Sequence, residues 1–215
     1  MSRWIDRTPA ILQAWYPGQE GGHALAQLLS GEKTPSGKLP VSFERRWEDN
    51  ATHESYYADS ATNRLDYSEG IFLGYRHFDR SKTKPQFAFG HGLSYTTFSY
   101  RGLSIAPASG KLDQPVTVSF EVTNTGTRDG AEVAQVYVSD DHARVSRPQK
   151  ELKGFAKVFL KPGESRRVNV QLDRRAFAYY DTAAKGWTVD PGNFLIRVGG
   201  SSDTLALEGA FRAMP

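Results

Sequence analysis

The stretch GFAKVFLKPGESRRVNVQLD, residues 154–173, predicts two β-strands joined by a tight turn. From Val168 to Leu172 apolar and polar residues alternate, so that one face of the second strand is buried and the other is exposed. Pro162 and Gly163 favour a type II turn, because proline fixes φ at the first central position and glycine accepts positive φ at the second. This stretch therefore indicates short strands that share a core.

The same pattern extends over the second half of the chain. Alternating apolar residues and turn signals recur every 8 to 15 residues or so from about residue 100 onward, which gives about seven strands in roughly 115 residues. The clearest further strands lie within residues 116–122, 131–140, 187–200 and 204–211. The sequence therefore predicts an all-β sandwich in this half of the chain.

The first half has a different sequence pattern. AILQAWY (10–16) is a short apolar run that predicts a buried strand, and KLPVSF (38–43) predicts another. Between them, GGHALAQLLSG (21–31) has helical spacing of Ala and Leu, and Gly31 stands where a helix C-cap belongs. Strand, glycine turn, helix and strand together indicate an α/β unit.

Residues 50–85 are polar and aromatic, and they are expected to form mostly loops, with a short strand in GIFLGYRHF (70–78). FAFGHGLSYTTF (87–98) follows as the predicted connector to the β-sandwich, with Gly90 and Gly92 allowing a turn. Its rings are expected to be buried between the two units. These rings are Phe87, Phe89, Tyr95 and Phe98.

His91 and Ser94 in this connector suggest a base and a nucleophile, but a structural turn is the favoured interpretation. Ser94 has no glycine two positions away on either side, so it does not form a nucleophile elbow. Closeness in sequence also says nothing about a hydrogen bond between a base and a nucleophile.

Composition excludes several classes of protein. The 215 residues include no cysteine, and the net charge of +3 is spread without a basic run, so thiolate chemistry and nucleic-acid binding are not expected. The five histidines lack ligand spacing, and no cofactor or metal is expected. No apolar run approaches a membrane span, and the N-terminal stretch has no signal-peptide pattern. The compartment is left open.

Four acidic residues in the first half stand beside aromatic residues, as in a sugar site: Glu20, Glu32, Glu69 and Asp79. A retaining glycosidase needs two carboxyl groups about 5 to 5.5 Å apart, and one sequence does not show which pair meets. For Glu69, a structural ion pair with Arg76 is an equally good interpretation. Ser-Asp-Asp at 139–141 suggests a cation contact, but a solvated turn is favoured.

Five stretches resemble glycoside hydrolase family 3, the β-glucosidase and β-xylosidase family, and they occur in the order typical of that family. They lie within residues 10–43, 67–79, 87–100, 147–165 and 186–202. The resemblance implies that residues 1–97 are the last portion of an α/β sandwich domain with the connector. It also implies that residues 98–215 form a fibronectin type III-like, immunoglobulin-type β-sandwich.

The resemblance also implies that the chemistry lies outside this chain. Family members carry the nucleophilic Asp on an N-terminal (β/α)8-type barrel and the acid/base Glu upstream of the stretch that matches residues 10–18. Residues 1–9 hold Asp6 but no Glu, so no catalytic residue is assigned. The expected function is that of a C-terminal fragment of a β-glucosidase-like hydrolase. Its partner would be the barrel, and it would meet a β-glucoside or oligosaccharide only within the intact enzyme.

A non-catalytic accessory module is the alternative expectation. In that interpretation the chain binds polysaccharide or docks onto a separate catalytic barrel. Trp187 and the pair Tyr179-Tyr180 would stack on sugar rings, although a place in the sandwich core is the favoured prediction for these rings.

Overall fold

The computed structural model describes residues 4–140 and 142–215, and Asp141 of the Ser-Asp-Asp stretch lies outside them. Helices occur mainly before residue 98 and strands after it. The helices of the first part are α1 (Gly21–Leu29), α2 (Tyr75–Ser81) and 3-10 turns at Ile5–Arg7, Trp47–Asp49 and His53–Ser55. No helix among the described residues is long and apolar enough to cross a membrane.

The second part contains ten strands and one short helix. In chain order the strands are β1 (Phe98–Ala106), β2 (Ser109–Gly110), β3 (Val116–Asn124), β4 (Gly130–Asp140), β5 (Glu151–Leu160), β6 (Ser165–Leu172), β7 (Tyr179–Asp181), β8 (Gly186–Thr188), β9 (Gly192–Gly199) and β10 (Leu205–Ala213). Helix α3 (Arg174–Phe177) lies between β6 and β7. Seven of these strands have eight residues or more, as the turn spacing predicts.

Two sheets pack face to face and form the predicted sandwich. One sheet has the order β1-β3-β6, and the other has the order β2-β10-β9-β4-β5. Neighbours are antiparallel except for β10 and β2, which are parallel. A separate two-stranded ribbon of β7 and β8 stands beside the sheets. The prediction of an all-β sandwich is therefore confirmed.

The turn in the opening stretch connects the two sheets. The Glu164 N–H donates to the Lys161 carbonyl (2.9 Å), and Gly163 has φ +75°, which is the geometry of a type II turn. However, β5 pairs with β4 and β6 pairs with β3, so the two strands lie in different sheets. The turn closes one edge of the sandwich and does not form a hairpin.

The core lies between the sheets and follows the predicted alternation. Every second residue of β3, from Val116 to Val122, is at most 1% exposed. Phe177 from α3 fills the end of this core, with its ring centroid 5.2 Å from Phe194 and 5.1 Å from Phe211. The three rings join the helix to two neighbouring strands of the larger sheet.

The first part contains the predicted helix but no sheet among the described residues. Helix α1 is confirmed, and Gly31 follows it with φ +76°. Residues 10–16 are irregular, and residues 38–43 contribute only a bridge between Phe43 and Phe87, so the strand predictions there are wrong. A strand needs a continuous hydrogen-bonded neighbour. No backbone bond to such a neighbour is found for residues 10–16 within the described part of the chain, and the backbone of residues 38–43 bonds to residues 86–91 only at Leu39 and Phe43.

The predicted strand at residues 70–78 is also wrong. Gly74 has φ +59°, and helix α2 begins at Tyr75. The apparent alternation arises because Tyr75 and Phe78, which are three positions apart, face inward on a helix.

The two parts of the chain differ in how many of their apolar side chains are buried. Of 24 buried apolar side chains among the described residues, only Phe78 and Ala88 precede residue 98. Of 22 large apolar side chains that are exposed, 16 precede residue 98, and Tyr16 among them is 98% exposed. The first part is thus a partial α/β unit that rests on the sandwich without a core of its own.

We expect Phe177→Ala to lower the free energy of unfolding by about 3 to 5 kcal/mol, because it opens a cavity among three packed rings. Phe155→Ala is the matched control, since this ring on β5 is 67% exposed, and it should change stability by less than about 0.5 kcal/mol. Urea unfolding of both variants measures the difference. Equal losses would contradict the assignment of the core to this end of the sandwich.

Candidate functional site

The first two acidic candidates lie on the surface around α1. Glu20 precedes α1 at its N-cap position but makes no capping bond through its side chain. Glu32 accepts a hydrogen bond from Gln27 Nε2 (3.0 Å) just beyond the other end of this helix. The length of α1 therefore separates the two carboxyl groups.

The other two candidates have structural surroundings. Asp79 Oδ1 pairs with Lys150 Nζ (2.5 Å), which joins α2 to the segment before β5. Glu69 has one buried oxygen without a hydrogen-bond partner, and the expected ion pair with Arg76 is wrong, because Arg76 pairs with Glu151 (3.1 Å). Among the described residues, no hydrogen bond joins any two of the four candidate carboxyl groups.

The Gly-His-Gly-Leu-Ser stretch, residues 90–94, lies at the contact between the first part and the sandwich, which we call the joint. The Gly90 N–H donates to the Leu39 carbonyl, and the Leu39 N–H donates to the His91 carbonyl, both at 2.8 Å. The His91 ring stacks on Phe87 with centroids 5.2 Å apart. Ser94 Oγ is buried without a hydrogen-bond partner in the described part of the chain, so His91 does not activate it.

Gly90 is required for two reasons. Its φ is +79°, and a Cβ at this position would lie 2.3 Å from Gln135 Oε1. Gln135 Nε2 also donates to the Gly200 carbonyl (2.7 Å), and the Tyr137 hydroxyl donates to Gln135 Oε1 (2.6 Å). The connector backbone therefore lies directly against the larger sheet.

The connector rings are half-buried or exposed, so their expected burial between the two parts is only partly met. The Phe87 ring contacts Phe43 and His91 of the first part. The Phe89 ring packs on Tyr75 of α2 with centroids 5.0 Å apart, and Tyr75 in turn meets Tyr137 of β4 at 5.9 Å. Phe98 packs against the sandwich core. Tyr95 is 46% exposed, so its expected burial is wrong, although its hydroxyl donates to the Leu28 carbonyl of α1 (2.8 Å).

A buried carboxylate lies at the centre of this joint. Glu132 of β4 pairs with Lys38 Nζ of the first part (3.1 Å) and accepts a hydrogen bond from the Tyr100 hydroxyl of β1 (2.8 Å). Lys38 Nζ also donates to the Gly92 carbonyl (3.2 Å). Burial, followed by the charge of Glu132, raises the pKa of Tyr100 above its usual range, which keeps the hydroxyl protonated as a donor.

A second ionic cluster lies at the other end of the joint. The guanidinium of Arg147 pairs with Asp140 (3.2 Å) and Glu151 (3.1 Å), and it donates to the Phe177 carbonyl (3.1 Å). Asp140 therefore belongs to an ion pair, and the expected solvated turn is wrong for this residue. No cluster of three or more His, Asp or Glu side chains suited to a metal occurs among the described residues.

The aromatic candidates on the ribbon separate into two groups. Tyr179 is 8% exposed and belongs to the buried set, as expected. Tyr180 and Trp187 are 50% and 45% exposed, so their expected place in the core is wrong. They stand opposite each other on β7 and β8, which turns both rings outward.

The sequence did not single out Lys38, Glu132 and Gln135. Glu132 and Gln135 are polar residues of β4, yet they are only 5% and 3% exposed. A charged residue flanked by strand residues was the available signal, but its partner Lys38 is 94 positions earlier in the chain.

We expect Lys38→Met to lower the free energy of unfolding by about 3 kcal/mol, because it leaves the Glu132 carboxylate buried without its counter-charge. Adding Glu132→Gln to this variant should restore part of the loss. Arg64→Met is the control, since its pair with Asp66 is exposed and contributes about 0.5 kcal/mol or less. Chemical unfolding that shows equal losses in the two single variants would contradict the role of this pair.

We expect acid to weaken the joint through His91. Burial lowers the pKa of His91, Lys38 lowers it further, and Asp203 opposes both effects. Because the unfolded chain then binds more protons, this contribution to stability is complete above about pH 6.5 and decreases as pH falls toward the folded pKa. Melting temperatures between about pH 7 and 5 should decline less steeply in His91→Gln, and an unchanged slope would contradict this assignment.

Comparison with known proteins places both parts in one family. Residues 1–95 match the family model "Glycosyl hydrolase family 3 C-terminal domain", and residues 132–202 match "Fibronectin type III-like domain". The thermostable beta-glucosidase B of Acetivibrio thermocellus is 44% identical over 97% of this chain, and 27% of that protein is covered. An exo-alpha-(1->6)-L-arabinopyranosidase of Bifidobacterium breve is 41% identical over 99% of this chain, with 28% of that protein covered.

The fold agrees with these relatives. The crystal structure of the Bifidobacterium adolescentis GH3 beta-glucosidase superposes with a TM-score of 0.92 at 38% identity, over 98% of this chain and 31% of that one. The chain thus spans about a quarter of the length of the curated relatives it matches. With an α/β part and a β-sandwich that each match in the family's order, this chain belongs to glycoside hydrolase family 3 and corresponds to the C-terminal part of its β-glucosidase-type members.

Proposed function

We propose that this chain serves as the C-terminal scaffold of a β-glucosidase-type glycoside hydrolase and that the catalytic carboxylates lie on another part of the enzyme. The hydrolysed bond would be the O-glycosidic bond of a β-glucoside or oligosaccharide. The observation that carries the proposal is the concentration of exposed apolar side chains in residues 4–97, beside a sandwich with a complete core.

The exposed side chains of the first part support an apolar partner surface. Exposed rings and aliphatic chains rarely cover a large contiguous area of a soluble monomer, and such a surface marks an interaction site. The segment at 10–16, which is irregular here, and the segment at 38–43, whose backbone bonds to residues 86–91 only at Leu39 and Phe43, would add to the sheet of an α/β partner. The partner that fits is the preceding part of the same family architecture, which includes the N-terminal barrel.

The surroundings of the acidic residues support the absence of catalytic groups. Retaining hydrolysis requires one carboxylate as nucleophile and a second as acid and base, close enough to act on one bond. Asp79, Asp140 and Glu151 are held in ion pairs with lysine or arginine, and Glu132 is buried in the joint. We therefore assign no catalytic role to these four carboxylates.

We propose residues 1–97 and 98–215 as its two units, a boundary supported by the start of β1 at Phe98. In this arrangement the ion pair of Lys38 with Glu132 holds the α/β unit on the sandwich and thereby fixes the position of α1 and α2. The sandwich would then influence the enzyme by keeping the rim of the site in place.

A non-catalytic accessory function is a second candidate. The outward-facing rings of Tyr180 and Trp187 favour it, because exposed aromatic rings are suited to contact with sugar rings. This candidate concerns a surface of the sandwich and is compatible with the first.

A split-enzyme assay tests the scaffold proposal. The 215-residue chain is assayed with an aryl β-glucoside alone, and then together with the N-terminal remainder of the Acetivibrio relative. We expect no turnover from the chain alone and turnover from the mixture, because the active site would be assembled only in the complex. Lys38→Met, which weakens the joint, should reduce the restored activity, and Arg64→Met should not.

Robust turnover by the chain alone, abolished by substituting one Asp or Glu within it, would overturn the proposal. A mixture that forms a complex without turnover would show that the chain docks but does not complete the site. That result would also count against the scaffold function.

A further inference from the structure

The ribbon of β7 and β8 presents two rings on a rigid frame. Tyr180 and Trp187 are directly opposite each other in the antiparallel pair, with ring centroids 5.5 Å apart and an interplanar angle of 72°. The guanidinium of Arg175 lies over the Trp187 ring, with Cζ 3.2 Å from its centroid. A short ladder and a stacked cation therefore hold both rings in place before any ligand arrives.

Three cations around this ribbon have no ion-pair partner among the described residues. Arg174, Arg175 and Lys185 have no carboxylate partner among the described residues, whereas the nearby acids are occupied. Asp181 accepts from the N–H groups of Ala183 and Ala184. Asp173 likewise accepts from the Ala176 N–H, and Asp190 pairs with Arg144. The ribbon therefore carries cations without an ion-pair partner in the described part of the chain, beside acids that already bond to backbone N–H groups or to Arg144.

A groove continues from the ribbon along the end of the sandwich. It encloses a cavity of about 370 Å³ whose lining includes Lys111, Arg174, Val189 and Pro191, with Asp113 as an acidic member. Arg174 belongs to both features, because it lines the groove and its Nη1 donates to the Trp187 carbonyl (3.4 Å). Lys111 also has no carboxylate partner in the described part of the chain. Rings and cations therefore form one continuous surface.

We propose that this ribbon and groove bind an acidic polysaccharide, with sugar rings on Tyr180 and Trp187 and uronate carboxylates on Arg174, Arg175 and Lys111. Tyr180 and the face of Trp187 that Arg175 leaves uncovered offer apolar surface to the C–H side of a sugar, and guanidinium groups bind carboxylates by paired hydrogen bonds. The unpaired cations favour a uronate polymer over a neutral glucan through charge complementarity. The site is independent of the proposed scaffold function, because it lies on the sandwich and needs no catalytic barrel.

Calorimetric titration of the full chain with hexagalacturonate at low salt tests the site, with cellohexaose as the neutral ligand. We expect measurable binding of the uronate oligomer that weakens as salt is added, and much weaker binding of cellohexaose. Trp187→Ala and Arg175→Gln should each weaken binding by about tenfold, since each removes a ring or a charge from the stacked pair. Arg175→Gln keeps the ribbon rings, so it remains informative if Trp187→Ala lowers the melting temperature.

Phe155→Ala and Lys157→Gln are the matched controls, because they remove an exposed ring and an unpaired exposed charge from β5 of the same sandwich. Binding that is lost in the ribbon variants and kept in these two supports the site. No binding of hexagalacturonate, equal binding of cellohexaose, or equal loss in all four variants would overturn it. Single-stranded DNA that competes as well as the uronate would also overturn it.

Discussion

The carboxylate of Glu132 is buried where the two parts of the molecule meet, and it is held by one group from each part. Lys38 supplies the opposite charge from the α/β unit, and Tyr100 supplies a hydrogen bond from β1. Removing a charge from water costs several kcal/mol, and this cost is offset only while both partners are in place. The relative position of the two parts is therefore tied to one polar arrangement that tolerates little displacement.

The α/β part depends on this arrangement because it has almost no buried apolar surface of its own. Its ordered segments are attached to the sandwich through specific contacts, such as the close approach of Gly90 to Gln135 and the edge-to-face contact of Tyr75 with Tyr137. The hydrophobic effect is the main driving force for folding, and here it acts on the sandwich and leaves the apolar residues of the first part exposed. Such an excess of exposed apolar side chains in the first part is expected of a unit whose surface is covered by a partner.

The two ends of the sandwich are thus suited to different tasks. The outer face of β4 carries the α/β unit, while the ribbon of β7 and β8 presents rings and unpaired cations to solvent. The ribbon pairs with neither sheet, and Tyr179 at its start contacts Arg147 of the second ionic cluster. A hydrolase of this family could then hold a polymer at one surface while its chemistry takes place at another, with the packed core as a rigid connection between them.

The sequence by itself determined the sandwich, helix α1 and the turn at Gly163, because local alternation, helical spacing and positive φ are properties of neighbouring residues. Family resemblance added the order of the two parts. Only the tertiary structure decided that β5 and β6 lie in different sheets, that residues 70–78 include a helix, and that Lys38 meets Glu132. The same holds for the exposure of Trp187. These features depend on contacts between residues far apart in the chain, and a local pattern carries no information about which distant partner will neutralise a charge or cover a ring.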